Sequence, residues 1–355
     1  MRLGPLRDTG VQAALLAALL FGAATPFAKV LLGEVSPWLL AGLLYSGSGL
    51  GLSLYRMARR MPRVRLQPGE LAPLAGAVTL GGMVAPVLLL LGLANMPASG
   101  ASLLLNAEGV LTAVIAWFVF KENVDRRIAL GMLAIVAGAV VLSIPSGSAD
   151  LGSRGLTGVL PQLAIVGACL CWAIDNNLTR KVALNDAIWL AAVKGAVAGP
   201  VNLALALALG ARLPAWGNVG AAMIIGLLAY GVSLVLFIVA LRQVGTARAG
   251  AYFSVAPFFG AVVAVLLGDR LSAPLVIAAL LMAFGVWLHL TERHEHEHHH
   301  EAVTHTHGHR HDDGHHDHEH AEPVAPGTWH VHEHSHGAVT HVHAHFPDSH
   351  HRHRH

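Results

Sequence analysis

The chain has 355 residues, 54% of them hydrophobic and only 12% charged, with a mean hydropathy of +0.56. Soluble folds use about 45–50% apolar and about 25% charged residues, so this composition excludes a soluble protein and points to an integral membrane one. A formal charge of +2 leaves no basic excess for nucleic acid. Cys169 and Cys171 share one apolar run, where they can build neither a disulfide framework nor a four-ligand zinc site, and packing is their expected role. All 25 histidines fall at or after His289, so two chemically different polymers are joined end to end.

Crossing a hydrocarbon core of about 30 Å takes about 20 apolar residues in a helix, because lipid cannot satisfy an open backbone. Ten such segments are expected, at 11–32, 37–56, 71–93, 98–120, 128–144, 156–178, 187–209, 218–241, 246–268 and 274–291. The first follows Arg2 and Arg7, as a signal peptide would. It is long enough to span and many more follow, so it is expected to remain as the first transmembrane helix. Lys and Arg near helix ends stay on the cytoplasmic side. One set of loops carries 14 of them, from Arg2 to Arg248, and the alternate set carries 3, Arg154, Arg212 and Arg270. Both termini are therefore expected in the cytoplasm.

In chain order, the first polar residue of interest is Lys29, near the outer end of the first segment. Such a lysine can snorkel its ammonium to the interface. Glu108 sits mid-segment, where an ionised carboxylate costs about 2.5–3.5 kcal/mol on insertion scales. It must be protonated, paired or facing a wet cavity. One expectation is that it binds a coupling proton or contacts a cationic substrate, with Asn106 lining the same cavity. The other is a neutral acid bonding two helices together.

Asp175 and Lys194 lie at nearly equal offsets from a hairpin turn near residue 184 or 185. They are expected at similar depth on antiparallel neighbours, as an ion pair that either fixes helix register or serves gating or substrate binding. Asn176, Asn177 and Asn202 add amides nearby. Pro26, Pro86, Pro161, Pro200 and Pro257 interrupt apolar helices, where freed backbone groups line cavities or are satisfied by neighbours. No nucleophile–base pair or metal constellation appears within the helices, and no Gly-x-x-x-x-Gly-Lys-Ser/Thr loop is present, so an enzyme is not expected.

The tail alternates histidine with other residues: His305, His307, His309, His311; His330, His332, His334, His336; His341, His343, His345. Glu295, Glu297, Asp312, Asp313, Asp317 and Glu319 are interleaved. With little apolar material to bury it is expected to be disordered when empty. Imidazole binds Ni, Zn, Co and Cu, so such ions are expected in the tail with little geometric selectivity, and no other cofactor is required. A purification tag reads as an uninterrupted run, unlike this segment. A pH-responsive polycation is the remaining alternative.

The membrane part repeats. Phe21-Gly-Ala-Ala-Thr-Pro-Phe-Ala-Lys29 matches Trp172-Ala-Ile-Asp-Asn-Asn-Leu-Thr-Arg180, an aromatic and a base eight residues apart in each. Leu111 to Glu122 aligns with Phe258 to Asp269, which sets Val110 opposite Pro257. An odd five helices per half requires the second copy to insert upside down, a recurrent transporter design. The expected domains are thus 1–150, 151–292 and a tail at 293–355.

These repeats, the aromatic-then-base pattern and the acids closing helices four and nine resemble the EamA-type branch of the drug/metabolite transporter superfamily, over roughly residues 10–291. The resemblance implies an all-α membrane fold of ten helices in two inverted repeats. It also implies a secondary carrier in the bacterial inner membrane that moves amino acids, metabolites or drugs, usually outward and without ATP, and it gives Lys29 a role beyond snorkelling. Expected partners are the bilayer, a small-molecule or metal-linked solute and, for a homodimer, a second copy of the chain. Two alternatives remain: a transition-metal ion carrier for Ni, Co or Zn, and a membrane-tethered metal buffer or sensor.

Overall fold

The computed structural model describes residues 9–64, 66–120, 126–143, 158–179, 182, 186–244 and 246–290, and the backbone of four strands between 295 and 344. Glu122, His311 and His345 lie outside the described residues, as do Arg2, Arg7, Arg65, Lys121, Arg154, Arg180 and Lys181 of the charge comparison. Two compact units result, one holding residues 1–292 and the other Arg293–Phe346.

The described part of the first unit is built of helices and the turns that join them. Its opening half runs through α1 (Thr9–Leu31), α2 (Pro37–Ala58), α3 (Leu71–Ala77), a π-helical stretch Val78–Val84, α4 (Ala85–Ala94), α5 (Ala98–Leu104), α6 (Ala107–Phe120) and α7 (Arg126–Ser143). The second half repeats that order with α8 (Leu160–Thr179), α9 (Ala187–Ala208), α10 (Trp216–Gly226), a π-helical stretch Leu227–Val232, α11 (Ser233–Val244), α12 (Thr246–Phe253), α13 (Ala256–Leu266) and α14 (Ala273–Leu290). Each half has a π-helical segment in its third helical stretch and a break in its fourth. Such departures from i→i−4 bonding free backbone groups and cluster at functional sites.

Among the described residues six helical stretches are long and apolar enough to cross a membrane: Thr9–Leu31, Leu71–Ala94, Ala98–Val119, Arg126–Ser143, Ala187–Ala208 and Trp216–Ala240. Ala256–Leu266 and Ala273–Leu288 are shorter apolar helices. α2 and α8 have 22 and 20 residues, enough in length. They fall outside that set because they are more polar, α8 carrying Gln162, Asp175, Asn176, Asn177 and Thr179.

Packing follows the repeat. α2 lies along its counterpart α9, and α7 along its counterpart α14. α1 packs on α11 and α13, while α8 packs on α4 and α6, the same relation with the halves exchanged. Gly49 and Gly195 let α2 and α9 touch backbone to backbone, since a methyl group on either would overlap the other helix. Asp186 fixes the end of this contact. Its carboxylate accepts from Trp189 N at 2.7 Å, capping α9, and from Arg56 Nη1 of α2 at 2.6 Å.

From composition the tail is expected to lack regular structure. The backbone instead forms four strands: β1 (Glu295–His300), β2 (Val303–His309), β3 (His330–His336) and β4 (Val339–Ala344). β1 pairs with β4 and β2 with β3, both antiparallel. The register sets His305 opposite His334, His307 opposite His332 and His309 opposite His330. The physical reason lies in the same alternation that suggests metal binding, because period two with interleaved Val and Thr is a strand pattern.

Candidate functional site

The site is built where the first π-helical stretch meets α2, α8 and α9. The irregular turn turns carbonyl groups away from helix bonding, and three side chains donate to them. Tyr45 Oη reaches Gly81 O at 2.8 Å and Trp172 Nε1 reaches the same oxygen at 3.0 Å. Asn202, with 0% exposure, lies 3.4 Å from both Gly82 O and Met83 O. Its own Oδ1 has no partner. In a membrane these donors supply what water would otherwise give the backbone.

Asp175 and Lys194 form the expected ion pair, with Lys194 Nζ 2.6 and 2.8 Å from the two carboxylate oxygens. Thr179 Oγ1 donates to Asp175 Oδ1 at 2.8 Å and accepts from Lys194 Nζ at 3.1 Å. Both charged residues are buried, at 6% and 9% exposure. Gly81 makes room, since a methyl group there would occupy the position of the Asp175 carboxylate. The pair neutralises itself and leaves no net charge for a solute.

Glu108 is different. α5 ends at Leu104 and the helix restarts at Ala107, which puts Glu108 in the first turn of α6, where helix-terminal N–H groups favour negative charge. Asn176 Nδ2 donates to its Oε1 at 2.8 Å. Among the described residues no cation pairs with it. Asn176 is exposed and Glu108 half-buried, although both lie within apolar helices.

Counting from the restarts at Ala107 and Ala256, Glu108 occupies the place that Pro257 holds in the second half. By this count the place opposite Pro257 falls two residues before Val110, which the sequence register sets there. The break at Leu105–Asn106 needs no proline and so leaves no mark in sequence.

Asn106 is buried, and its amide donates to Leu103 O at 3.0 Å and approaches Met282 Sδ of α14 at 3.7 Å. Asn177 bonds Ala173 O within its own helix at 2.8 Å. Lys29 does not snorkel freely. Its Nζ donates to Leu93 O at 2.7 Å and Ala94 O at 3.0 Å, the last carbonyls of α4.

An aromatic cluster, not expected from sequence, adjoins these groups. Phe21 meets Trp172, Tyr230 and Phe253 at centroid distances of 6.1, 6.0 and 5.6 Å, and Tyr230 stacks on Tyr45 at 4.9 Å. Trp172 and Asn176 are one turn apart on α8, so they share a face. One face of α8 thus links the rings, through Trp172, to the Glu108 carboxylate, through Asn176: an acid with no cation partner among the described residues, an amide and several π faces. Among the described residues no group of three or more His, Cys, Asp or Glu could hold a metal ion.

A family model described as the EamA-like transporter family matches residues 8–144 and again 160–291. The chain is 27% identical over 289 residues to an uncharacterized transporter of Methanothermobacter thermautotrophicus, covering 77% of this chain and 83% of that relative. It is 23% identical over 196 residues to the uncharacterized transporter YyaM of Bacillus subtilis, covering 54% of this chain and 63% of that one. A solved crystal structure shares the fold with TM-score 0.61 at 19% identity, over 80% of this chain and 99% of its own.

Proposed function

The chain belongs to the EamA-like transporter family, and from that membership we propose a secondary carrier of ten spans in two inverted five-helix repeats, exporting a small organic solute past Glu108. It is a multi-pass membrane protein; the bacterial inner membrane and cytoplasmic termini complete the proposal, supported by the 14 to 3 loop-charge bias. The observation that carries the site is the unpaired Glu108 carboxylate at a helix restart, held by Asn176 beside an aromatic cluster. An acid so placed takes up a proton or binds a cationic group, and either event changes its charge during transport. Asp175 and Lys194 hold α8 against α9, while Tyr45, Trp172 and Asn202 keep the π-helical segment open beside them.

The tail binds Ni, Zn, Co or Cu and regulates or feeds this carrier. Support comes from alternate histidines and from the register that sets His307 opposite His332. A carrier of the bare ion fits less well, since the helices hold no histidine before His289 and soft metals prefer imidazole or thiolate.

Total cellular Ni, Co, Zn and Cu, with excreted small molecules, in a null strain tests the proposal. The strain is complemented with full-length protein, residues 1–291, or Glu108→Gln. Excretion that needs Glu108, with metal content following the tail alone, is the expected result. Metal changes requiring both would make the metal or its chelate the cargo. Normal excretion with Glu108→Gln would overturn the site.

A further inference from the structure

Two charged side chains from different helices grip the same turn. The turn joins α4 to α5 through Asn95, Met96 and Pro97. Lys29, at the end of α1, donates to the last carbonyls of α4, Leu93 O and Ala94 O. Asp269, just past α13, accepts from Ser99 N in the first turn of α5 at 2.7 Å. Each charge meets the helix end of opposite polarity, the arrangement that helix dipoles favour.

This grip is connected to the site through α5 and α1. All seven residues of α5 are buried, and α5 leads directly into the break that carries Glu108. α1 runs from Lys29 back to Phe21 of the aromatic cluster, about two turns away at 3.6 residues per turn. α1, α5 and α13 pack on one another. The helices that carry Phe21 and lead to Glu108 thus have their ends tied at one turn.

Building on the carrier reading, we propose that Lys29 and Asp269 form a latch that holds this face of the protein shut, and that it must release when the site opens to that side. Both are positioning residues: they act on the turn and do not touch solute. The arrangement has the form a latch needs. Two contacts from separate helices converge on a turn between two more, so moving α1 and α13 away from α5 breaks both at once. Each bond joins a charge to a neutral backbone group, which water can replace when the face opens.

Accessibility tests this without knowing the cargo. In full-length protein with Cys169→Ser and Cys171→Ser, a reporter Ala107→Cys is placed beside Glu108. Its alkylation by a membrane-impermeant thiol reagent is followed in vesicles of each orientation. Exposed Asn95→Cys, made separately, identifies the face that carries the turn. Lys29→Gln and Asp269→Asn are expected to raise labelling of the reporter from that face about tenfold, the scale on which one charge-assisted bond shifts a two-state equilibrium. Lys29→Arg retains slow labelling. Labelling at the parental rate from that face, in variants that elute normally in detergent, would overturn the latch. If either variant fails to fold, Asp269→Glu, which shifts the carboxylate along the Ser99 N–H by one methylene, is read the same way. Failure of the Glu108 proposal would show instead as unchanged excretion with an intact labelling response.

Discussion

The two broken helices stand in corresponding places and carry different chemistry. In the second half α12 gives way to α13 with Pro257 in its first turn; in the first half α5 gives way to α6 with Glu108 there. A proline suits a first helical turn because its fixed backbone angle is already helical. At the matching place Glu108 donates its own N–H to Leu105 O at 3.1 Å, and its carboxylate lies at the helix end whose dipole favours negative charge. The comparison teaches that the break belongs to the fold, while function belongs to whichever half places a titratable group at it.

The sharpest way to break that comparison is to remove each residue in turn. Glu108→Ala removes the acid and leaves the Glu108 N–H free to keep its bond to Leu105 O at the restart, so the protein should purify normally yet lose at least about tenfold in excretion, the scale of one lost charged contact to solute. Pro257→Ala should leave excretion within about twofold, because the break in α13 does not depend on proline alone. A loss of equal size in both variants would mean that the break, and not the carboxylate, is what transport needs.

A smaller effect should come from the ion pair. Asp175→Asn leaves Lys194 buried and unpaired, and breaking such a pair costs about 3–5 kcal/mol. Thermal unfolding in detergent should show a large drop, partly recovered by adding Lys194→Met. No recovery would mean that the two residues act on different partners. Gly81→Ala, which displaces the Asp175 carboxylate, should lower stability in the same assay by about 1–3 kcal/mol, the usual cost of overpacking. The smallest effect concerns the tail. Its imidazoles must be deprotonated to bind metal, so Ni or Zn bound to full-length protein should weaken as pH falls through about 6.5. Metal binding unchanged down to about pH 5 would point to the acids.

Much of this was legible in sequence. Asp175 and Lys194 could be paired because a hairpin equates their depth, and Glu108 stood out because membranes make carboxylates costly. The family was legible in the repeated spacing of Phe21 to Lys29 and Trp172 to Arg180. Several features were not legible, each for a physical reason. Nothing in Val78–Val84 marks a π-helical turn, so the acceptor that Tyr45 and Trp172 share, Gly81 O, was invisible. Spacing puts Asn106 two residues from Glu108, but the break rotates the chain between them and sends their side chains to α14 and α8. Lys29 looked free because its partners are backbone carbonyls, which carry no residue signature. In the tail, low apolar content outweighed a period-two pattern that is also a strand signal.

The central claim is that transport runs through Glu108. Its most direct test is the profile of small molecules excreted by cells expressing wild-type protein, Glu108→Gln or Pro257→Ala, at matched amounts in the membrane. The account predicts that solutes exported by the wild type stay inside with Glu108→Gln and still leave with Pro257→Ala. Identical profiles for wild type and Glu108→Gln would contradict it.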